Sequence, residues 1–466
     1  MDWFYVVLVL NMIFAITLIF LERRDPTATW AWILILTLLP GVGFILYLFF
    51  GLRFRKRKRY RKKQEKDFYL QKHFEQQFPL MIKDIKNPLH KSMMYMGFIS
   101  QPAAYVGGND VELYTDGNAK FAALFDSIEK AQNHIHVNYY IIQADKVGLA
   151  LLELLVKKAL QGVKVKFLYD SMGCRKLPRH FFRPLIKAGG KVSKFSSIVV
   201  DINYRDHRKI VVIDGREAFV GGFNVGKEYV GEVKKFGYWR DTHLKIKGEN
   251  VDSLQYRFLV DWSFATEEEV PFDSYYFPDK EHVGDAKIQI VCSGPDSKEE
   301  EIKMFFLKMI YGAQKSIYIQ TPYFIPDQSM FEALKIAAAS GVDVKVIIPD
   351  RPDHLFVHEA NYSYVGSLLE SGAKCYFYKG GFLHSKTIVV DGQIASVGTT
   401  NMDVRSFKLN FEVNAFIYNE QTTQKLESIF MEDLKKCEEI TSEKYAQRSI
   451  WMKFKEAISR LISPIL

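Results

Sequence analysis

Two long apolar runs open the chain, and shorter apolar segments separated by polar positions follow them. Residues 3–21 are almost entirely apolar, and residues 30–50 form a second such run. A helix of about 20 apolar residues crosses the roughly 30 Å hydrocarbon core of a bilayer. Pro40 and Gly41 interrupt the second run, which is typical of a kinked span or a re-entrant segment. The pattern therefore predicts an N-terminal transmembrane helical hairpin within residues 1–52.

Beyond residue 108 the periodicity alternates between that of helices and that of strands. Residues 119–131 and 148–160 repeat apolar positions at helical spacing, whereas residues 134–142 and 163–169 are rich in the residue types of strands. Residues 111–114 predict an edge strand. Alternation of this kind predicts an α/β fold with mixed β-sheets flanked by helices.

The second half of the chain repeats the order of the first. The sequence that starts at Ile128 is echoed at Ile310, and the sequence that starts at Gly162 is echoed at Gly341, at offsets of 182 and 179 positions. A slowly drifting offset predicts a duplicated domain with small changes in its loops. The predicted segments are 1–52 (hydrophobic hairpin), 53–108 (polybasic juxtamembrane stretch and linker), 109–266 (first lobe), 267–285 (interlobe linker), 286–440 (second lobe) and 441–466 (C-terminal amphipathic helix).

One motif occurs once in each repeat with identical internal spacing, at an offset of 177. Its members are His207, Lys209, Asp214 and Asn224 in the first copy and His384, Lys386, Asp391 and Asn401 in the second. A β-branched run follows each His-x-Lys, and Asp-Gly follows the run, which predicts a strand, a tight turn and a second strand. Residues two apart on a strand share a face, so each copy presents an imidazole and a cation together.

These residue types suit nucleophilic attack on a phosphodiester. Imidazole is nucleophilic near neutral pH and also carries a proton, so one histidine can attack phosphorus while the other protonates the leaving alcohol. Lysines and asparagines can hold the non-bridging oxygens. The motif aspartates can orient the rings or, equally, hold the turns. The candidate catalytic residues are His207, Lys209, Asp214, His384, Lys386 and Asp391; candidates around the substrate are Asn224, Thr399, Asn401, Glu228 and Glu412, the two glutamates as partners that orient the rings.

Composition restricts the partners. A net charge of +9 favours an anionic partner, either nucleic acid or anionic lipid. The basic run at residues 53–63 stays cytoplasmic by the positive-inside rule and suits contact with anionic headgroups. The four scattered cysteines form neither a disulfide framework nor a zinc site, which favours a reducing compartment.

Three further features each keep two interpretations. His134 and His136 share a strand face, which fits a metal or phosphate site less well than polar positions beside the sheet core. His354 and His358 lie four apart but lack the HExxH arrangement and an obvious third ligand, so a headgroup contact or a solvated surface is favoured over a metal. Residues 450–462 carry apolar positions at helical spacing with basic residues between them. Such a helix either rests in a membrane interface or closes the body.

The paired motifs resemble the two HKD motifs of the phospholipase D superfamily. The resemblance implies a duplicated, pseudo-twofold bilobal α/β fold, one active site between the lobes, a covalent phosphohistidine intermediate, and no catalytic metal or other cofactor. Further segments resemble bacterial cardiolipin synthases, and the resemblance spans nearly the whole chain. These segments are 24–51, 206–209, 222–229, 236–243, 382–386, 398–406 and 463–464.

The second resemblance implies a multi-pass enzyme of the bacterial plasma membrane, with its body on the cytoplasmic side. It would transfer a phosphatidyl group between two phosphatidylglycerol molecules to form cardiolipin and glycerol. His207 would be the nucleophile and His384 the acid and then the base, with exchange of these roles left open by the duplication. Gly222 stands where many relatives carry serine, and Thr399 occupies the matching place in the second copy.

A membrane-bound phospholipase D that admits water to the same residues is the alternative. Nucleic acid is the less favoured substrate, because aromatic residues interleaved with basic ones, typical of single-strand binding, are not evident. The sequence leaves the oligomeric state and the acyl-chain preference open.

Overall fold

The computed structural model describes residues 5–6, 9, 13, 26–39, 41–47, 85–100, 103–195, 203–269, 273–297, 299–351, 353 and 357–462. The chain divides into two compact units, Met1–Glu65 and Lys66–Leu466.

In the first unit, the apolar run at residues 30–50 contains two helices. These are α1 (Pro26–Leu38) and α2 (Val42–Leu46). Gly41 lies between them with a φ of 83°, a left-handed conformation that favours glycine. A side chain at Gly43 would overlap the backbone of α1. The break predicted from the proline and glycines is therefore present.

Across the described residues, no helix is both long enough and apolar enough to cross a bilayer. The first predicted span, residues 3–21, lies outside the described residues except for four isolated positions, and the basic run at 53–63 lies outside them completely.

The second unit alternates strands and helices throughout. Its helices are α3 (Pro88–Ser100), α4 (Gly117–Lys130), α5 (Lys146–Leu160), α6 (Arg183–Lys187), α7 (Val251–Thr266), α8 (Glu301–Gly312), α9 (Gln328–Ala339), α10 (Val357–Glu370), α11 (Val404–Lys408), α12 (Glu420–Leu434), α13 (Ser442–Ala446) and α14 (Ile450–Ile462), with a 3-10 helix at Lys227–Val230. Its strands are β1 (Tyr105–Tyr114), β2 (His134–Tyr139), β3 (Lys164–Tyr169), β4 (Lys191–Lys194), β5 (Ile210–Ile213), β6 (Glu217–Gly221), β7 (Trp239–Arg240), β8 (His243–Lys247), β9 (Ala286–Ser293), β10 (Ser316–Gln320), β11 (Phe324–Ile325), β12 (Asp343–Pro349), β13 (Lys374–Tyr378), β14 (Phe382–Leu383), β15 (Thr387–Val390), β16 (Ile394–Gly398), β17 (Met402–Asp403), β18 (Glu412–Ile417) and β19 (Cys437–Ile440).

Fifteen of these strands form one sheet whose two halves have the same topology. The order is β19-β13-β12-β10-β15-β16-β18-β9-β1-β8-β6-β5-β2-β3-β4. Read outward from the centre, β1-β8-β6-β5-β2-β3-β4 corresponds strand for strand to β9-β18-β16-β15-β10-β12-β13. Strands β1 and β9 pair antiparallel and join the halves. The fold therefore matches the duplicated α/β architecture predicted from the repeated sequence.

The structure corrects the prediction of an edge strand at residues 111–114. Strand β1 is longer than predicted and lies at the centre of the sheet, paired with β8 on one side and β9 on the other. The edges of the described sheet are β4 and β19.

The sheet is mixed, and helices cover both of its faces. Strands β2, β3 and β4 pair in parallel, as do β10, β12 and β13, whereas the central strands are antiparallel. Along β5, Val211 and Ile213 join the core beneath α4 and α5, and Ile210 and Val212 join the core beneath α7. This alternation follows from the period of two in a strand. The motif histidines come just before β5 and β15, at one end of those strands.

Candidate active site

The turn that ends the first strand of each motif is built around the motif aspartate. Asp214 and Gly215, in the three-residue loop between β5 and β6, have φ values of 53° and 63°, the positive φ that an Asp-Gly turn adopts. The Asp214 carboxylate accepts hydrogen bonds from the backbone N–H groups of Gln132, Asn133 and His134 at 2.8, 2.7 and 2.9 Å. The aspartate therefore ties the turn to the start of β2.

Asp391 makes the equivalent contacts in the second repeat. Its φ is 54°, and its carboxylate accepts hydrogen bonds from the N–H groups of Gln314, Lys315 and Ser316 at 2.8, 2.7 and 2.8 Å. Both motif aspartates thus lie at the opposite strand end from the motif histidines. These contacts support the structural alternative, in which the aspartates hold the turns; a catalytic role for them stays a prediction.

Each motif histidine is held by backbone of the other lobe. The His207 N–H donates to the Phe411 carbonyl at 3.0 Å, and the Phe411 N–H donates to the Arg205 carbonyl at 2.8 Å. The His384 N–H donates to the Arg240 carbonyl at 2.7 Å, where β14 runs parallel to β7. Backbone hydrogen bonds therefore join the two lobes at both motif histidines.

The carboxylates that contact the imidazole rings are exchanged between the lobes as well. His207 Nδ1–H donates to Glu412 at 3.0 Å, and His384 Nδ1–H donates to Asp241 at 2.6 Å. Both carboxylate side chains are 0% exposed, and both histidine side chains are 10% exposed. A carboxylate at Nδ1 fixes the tautomer that leaves a lone pair on Nε2. Within the described residues neither Nε2 has a hydrogen-bond partner.

Glu412, a ring-orienting candidate from the sequence, lies at its expected place, but Glu228 does not. Glu228 accepts a hydrogen bond from Gln143 Nε2 at 2.9 Å and interacts with the adjacent Tyr229. The residue that matches Glu412 in the first repeat is Asp241, at an offset of 171 that follows from the drift between the repeats. An alignment of the two repeats that extends beyond the motif pairs Asp241 with Glu412, and this pairing would have identified Asp241 from the sequence.

The two motif lysines are buried beside the histidines. Lys209 Nζ donates to the His207 carbonyl at 2.6 Å, and Lys386 Nζ donates to the His384 carbonyl. Burial lowers the pKa of Lys209 to about 7 and that of Lys386 to about 8, although nearby carboxylates oppose the fall. An incoming phosphate anion would favour the charged ammonium forms. Lys386 Nζ also lies 2.8 Å from His384 Nδ1, but an Nδ1 that donates its proton to a carboxylate cannot accept another.

The two half-sites are electrostatically coupled. Burial lowers the pKa of both His207 and His384 to about 4, and the partner carboxylate of each ring acts in the opposite direction. Lys386 contributes to the lowered pKa of His207, and Lys209 contributes to that of His384. The two motifs therefore act on each other within one polar centre, and at neutral pH both imidazoles are uncharged and nucleophilic.

The two motif asparagines hydrogen-bond neighbouring loops of their own lobes. Asn224 Oδ1 accepts a hydrogen bond from the Ile141 N–H at 3.1 Å. Asn401 hydrogen-bonds the Asp403 carboxylate. Both residues are buried. Their role in binding phosphate stays a prediction.

The structure places Thr399 against Glu412, the carboxylate of its own lobe. Thr399 Oγ1 accepts a hydrogen bond from the Val413 N–H at 2.9 Å and also interacts with Glu412. The matching residue in the first repeat is Gly222, where a Cβ would overlap Asp241 Oδ1. The glycine therefore leaves the space that the Asp241 carboxylate occupies.

The residues before and after Asp241 in the chain both contact the second lobe through their side chains. Arg240 Nε forms an ion pair with Asp433 on α12 at 2.7 Å, and both side chains are buried. Thr242 Oγ1 and Ser385 Oγ share a hydrogen bond at 2.8 Å. Arg240 and Thr242 carried no predicted role, because nothing local in the sequence shows which residues the second lobe brings to them.

Where the structure describes them, the other histidines singled out in the sequence lie in packing and hydrogen-bonding contacts with the body. His134 Nε2 and His136 Nδ1 both contact the Gln255 amide, at 3.3 and 2.8 Å, inside the body, which supports the interpretation as polar positions beside the sheet core. His358 stacks on an aromatic ring of β13, and His354 lies outside the described residues. In the described part of the chain, no group of three or more His, Cys, Asp or Glu is arranged to hold a metal ion.

Comparisons with known proteins find the same organisation. The family described as cardiolipin synthase, PLD-like domain, matches residues 124–244 and again residues 306–434. The family described as phospholipase D-nuclease N-terminal matches residues 9–51. A cardiolipin synthase of Listeria monocytogenes serotype 4b is 49% identical over 475 residues, covering 99% of this chain and 98% of its own. One from Staphylococcus aureus is 49% identical over 470 residues, covering 98% of this chain and 95% of its own.

Among solved structures, the phosphatidylserine synthase of Haemophilus influenzae Rd KW20 resembles the body of this protein. The match covers 76% of this chain and 95% of that chain, with a TM-score of 0.60 and 15% sequence identity. At this level of identity the likeness establishes the α/β fold with its mixed sheet, and nothing further.

Proposed function

We propose that this chain, which belongs to the cardiolipin synthase family with phospholipase D-like domains, transfers a phosphatidyl group from one phosphatidylglycerol to another. The products are cardiolipin and glycerol. The observation that carries the proposal is the pair of buried imidazoles, each held at Nδ1 by a carboxylate of the other lobe, with no partner at Nε2 among the residues that the structure describes. Its substrates are accordingly anionic membrane phospholipids.

In the first half-reaction His207 Nε2 attacks the phosphorus of the donor lipid. The N–P bond forms while the P–O bond to glycerol breaks, and His384 gives its proton to the departing oxygen. Burial lowers the pKa of His384 in the free site, but a phosphate anion beside the ring favours its protonated form. Glu412, at 3.0 Å from His207 Nδ1, stabilises the positive charge that develops on the nucleophilic ring.

In the second half-reaction the terminal hydroxyl of another phosphatidylglycerol gives its proton to His384 and attacks phosphorus. The N–P bond breaks, cardiolipin leaves, and His384 is again protonated, so the cycle balances. Asp241, 2.6 Å from His384 Nδ1, stabilises the imidazolium form at both ends of the cycle. Lys209 and Lys386 neutralise the non-bridging oxygens in both transition states.

We further propose that residues 1–52 anchor the enzyme in the bacterial plasma membrane as two spans or as a span and a re-entrant segment, with the body on the cytoplasmic side. Three observations support this arrangement: the apolar runs, the match of residues 9–51 to an N-terminal family, and the basic run at residues 53–63.

The first test is a product assay on the purified full-length chain in phosphatidylglycerol vesicles with a chelator present. Wild type should form cardiolipin and glycerol in equal amounts, while His207→Ala and His384→Ala should form neither. The matched control is His180→Ala, which removes an exposed histidine of the first lobe and should leave the rate unchanged. Phosphatidic acid in place of cardiolipin would identify a hydrolase and overturn the proposal. A lipid–protein adduct trapped during turnover should be absent from His207→Ala.

A further inference from the structure

The C-terminal helix α14 presents large apolar side chains to solvent and buries two polar side chains against the body. Its exposed apolar residues are Ile450, Trp451, Phe454 and Ile458, at 87%, 64%, 54% and 40% exposure. Glu456 and Ser459, by contrast, are 5% and 0% exposed. A helix that merely closes a soluble body buries its apolar stripe, so this arrangement is the reverse of the expected one.

The angular positions around the helix separate three faces. At about 100° per residue, the four exposed apolar side chains fall in one sector of roughly 100°. Glu456 and Ser459 fall on the opposite side, in the sector that meets the body. Lys453 and Lys455 are exposed and lie just outside the two edges of the apolar sector. The outward surface is therefore an apolar stripe bordered by a cation on each side.

Contacts with the body hold the helix in this orientation. Helix α14 packs against α10. Glu456 forms an ion pair with Arg448 at 3.1 Å, with both side chains largely buried, and the Arg460 guanidinium lies 4.9 Å from the ring of Tyr364 on α10. Because these polar contacts face inward, rotating the helix to cover its apolar stripe would leave a buried ion pair broken.

We propose that α14 is an interfacial helix whose apolar stripe inserts at the headgroup boundary of an anionic bilayer. Basic amphipathic helices with tryptophan and phenylalanine on the apolar face bind in this way, and nearby lysines add attraction to anionic headgroups. A second copy of the chain fits less well, because a twofold pairing of identical stripes would bring their flanking lysines together.

The position of α14 links the membrane surface to the active site. Asn361 on α10 binds the backbone on both sides of Tyr323, at 2.8 and 3.0 Å. Tyr323 interacts electrostatically with Tyr140, whose ring lies 4.9 Å from the ring of His207. A helix seated in the interface would therefore hold the cleft close to the surface that supplies lipid, a consequence that rests on the proposed function.

The test measures the depth of Trp451 in the full-length protein. The protein is reconstituted in vesicles of phosphatidylglycerol and phosphatidylcholine with or without bromine on the acyl chains. Fluorescence of wild type minus that of Trp451→Phe isolates this tryptophan. We expect bromine to quench the difference signal, and Lys453→Glu combined with Lys455→Glu to weaken the quenching. A Trp451 signal that bromolipid leaves unchanged and an aqueous quencher removes would overturn the proposal.

A kinetic test uses Phe454→Ser together with Ile458→Ser. The double variant should raise the apparent KM for phosphatidylglycerol in vesicles several-fold without changing kcat, because the catalytic groups are untouched. Leu160→Ser is the matched control, since Leu160 is 72% exposed on α5. If the double variant instead dissociates an oligomer in detergent and leaves the quenching unchanged, the stripe is an interface between copies. Quenching is measured without turnover, so the two proposals are tested separately. Unquenched Trp451 would overturn the interfacial helix even if the enzyme makes cardiolipin, and absence of cardiolipin would overturn the proposed function even if Trp451 is quenched.

Discussion

Replacing Asp241 by asparagine tests whether the exchanged carboxylates work as the geometry indicates. The substitution keeps the size of the side chain and removes its charge. In the structure Asp241 Oδ2 lies 2.6 Å from His384 Nδ1, and the carboxylate side chain is 0% exposed. Each half-reaction passes through the imidazolium form of His384. Removing the charge of Asp241 leaves that form without its counter-ion.

The size of the effect follows from the separation of the charges. The centres of an imidazolium ring and a contacting carboxylate are about 4 Å apart, and at an effective dielectric constant of about 20 they attract by about 4 kcal/mol. Since about 1.4 kcal/mol corresponds to a factor of ten in rate, Asp241→Asn should lower kcat with phosphatidylglycerol by about 1,000-fold. Glu412→Gln should cost a similar factor through His207.

A substrate with an activated leaving group separates the two carboxylates. A phosphatidyl ester of p-nitrophenol releases a stable phenolate, so the first half-reaction no longer needs a proton from His384. Asp241→Asn should then release a near-normal burst of p-nitrophenol. Glu412→Gln should remain slow with either substrate, because His207 still has to become cationic when the N–P bond forms.

Two results would refute this reasoning. A kcat for Asp241→Asn within a few-fold of wild type would show that the carboxylate contact has no catalytic role. Rescue of Glu412→Gln but not of Asp241→Asn by the activated ester would show that the roles of His207 and His384 are reversed. Thermal melts of both variants serve as the control, since a buried polar group is being changed in each.

Three further predictions concern groups elsewhere in the body. Asp214→Ala should lower the free energy of unfolding by about 1–3 kcal/mol, because three backbone donors, one of them on the buried His134, lose their acceptor, while kcat per folded molecule is preserved. Arg240→Met should cost about 3–5 kcal/mol by leaving Asp433 buried without its partner; adding Asp433→Leu should restore the melting temperature but not the activity. Burial lowers the pKa of His90 and His134 to about 4, so the unfolded chain takes up protons that the native state does not. Stability should therefore fall as pH drops from about 6.5 to about 4, by up to about 3 kcal/mol for each histidine. Denaturant titrations across this range check the slope, which His134→Gln should flatten.

Local chemistry explains which parts of the fold were predictable. The Asp-Gly turns follow from residue types that accept positive φ, and the structure has them at 53° and 63° in the first copy and 54° and 63° in the second. The repeated order of strands followed from comparing the chain with itself. Strand β1 was misassigned because it carries polar residues that are buried only by long-range pairing: the Asn109 amide donates to the Ala286 carbonyl at 3.0 Å, and its oxygen accepts the Asn250 N–H at 2.8 Å.

Asp241, the carboxylate that contacts His384, could not be predicted from the local sequence pattern, because its contact is also long-range. Asp241 and His384 are 143 positions apart, and their contact exists only because β14 runs beside β7. Glu228 is equally acidic and lies close to the motif in the sequence, yet it faces Gln143. The repeat alignment carries the information, since it pairs Asp241 with Glu412, whereas proximity along the chain does not.

The exchange of carboxylates makes the active site a property of the interface between the lobes. Each lobe supplies one histidine and one carboxylate, but neither lobe can pair its own histidine with its own carboxylate. Separation of the lobes would therefore break both imidazole–carboxylate contacts at once and expose all four groups to water. The same contacts that assemble the site thus hold the lobes together near the central β1–β9 pairing. The proposed mechanism needs both contacts at once, because a nucleophile and an acid must act on the same phosphodiester.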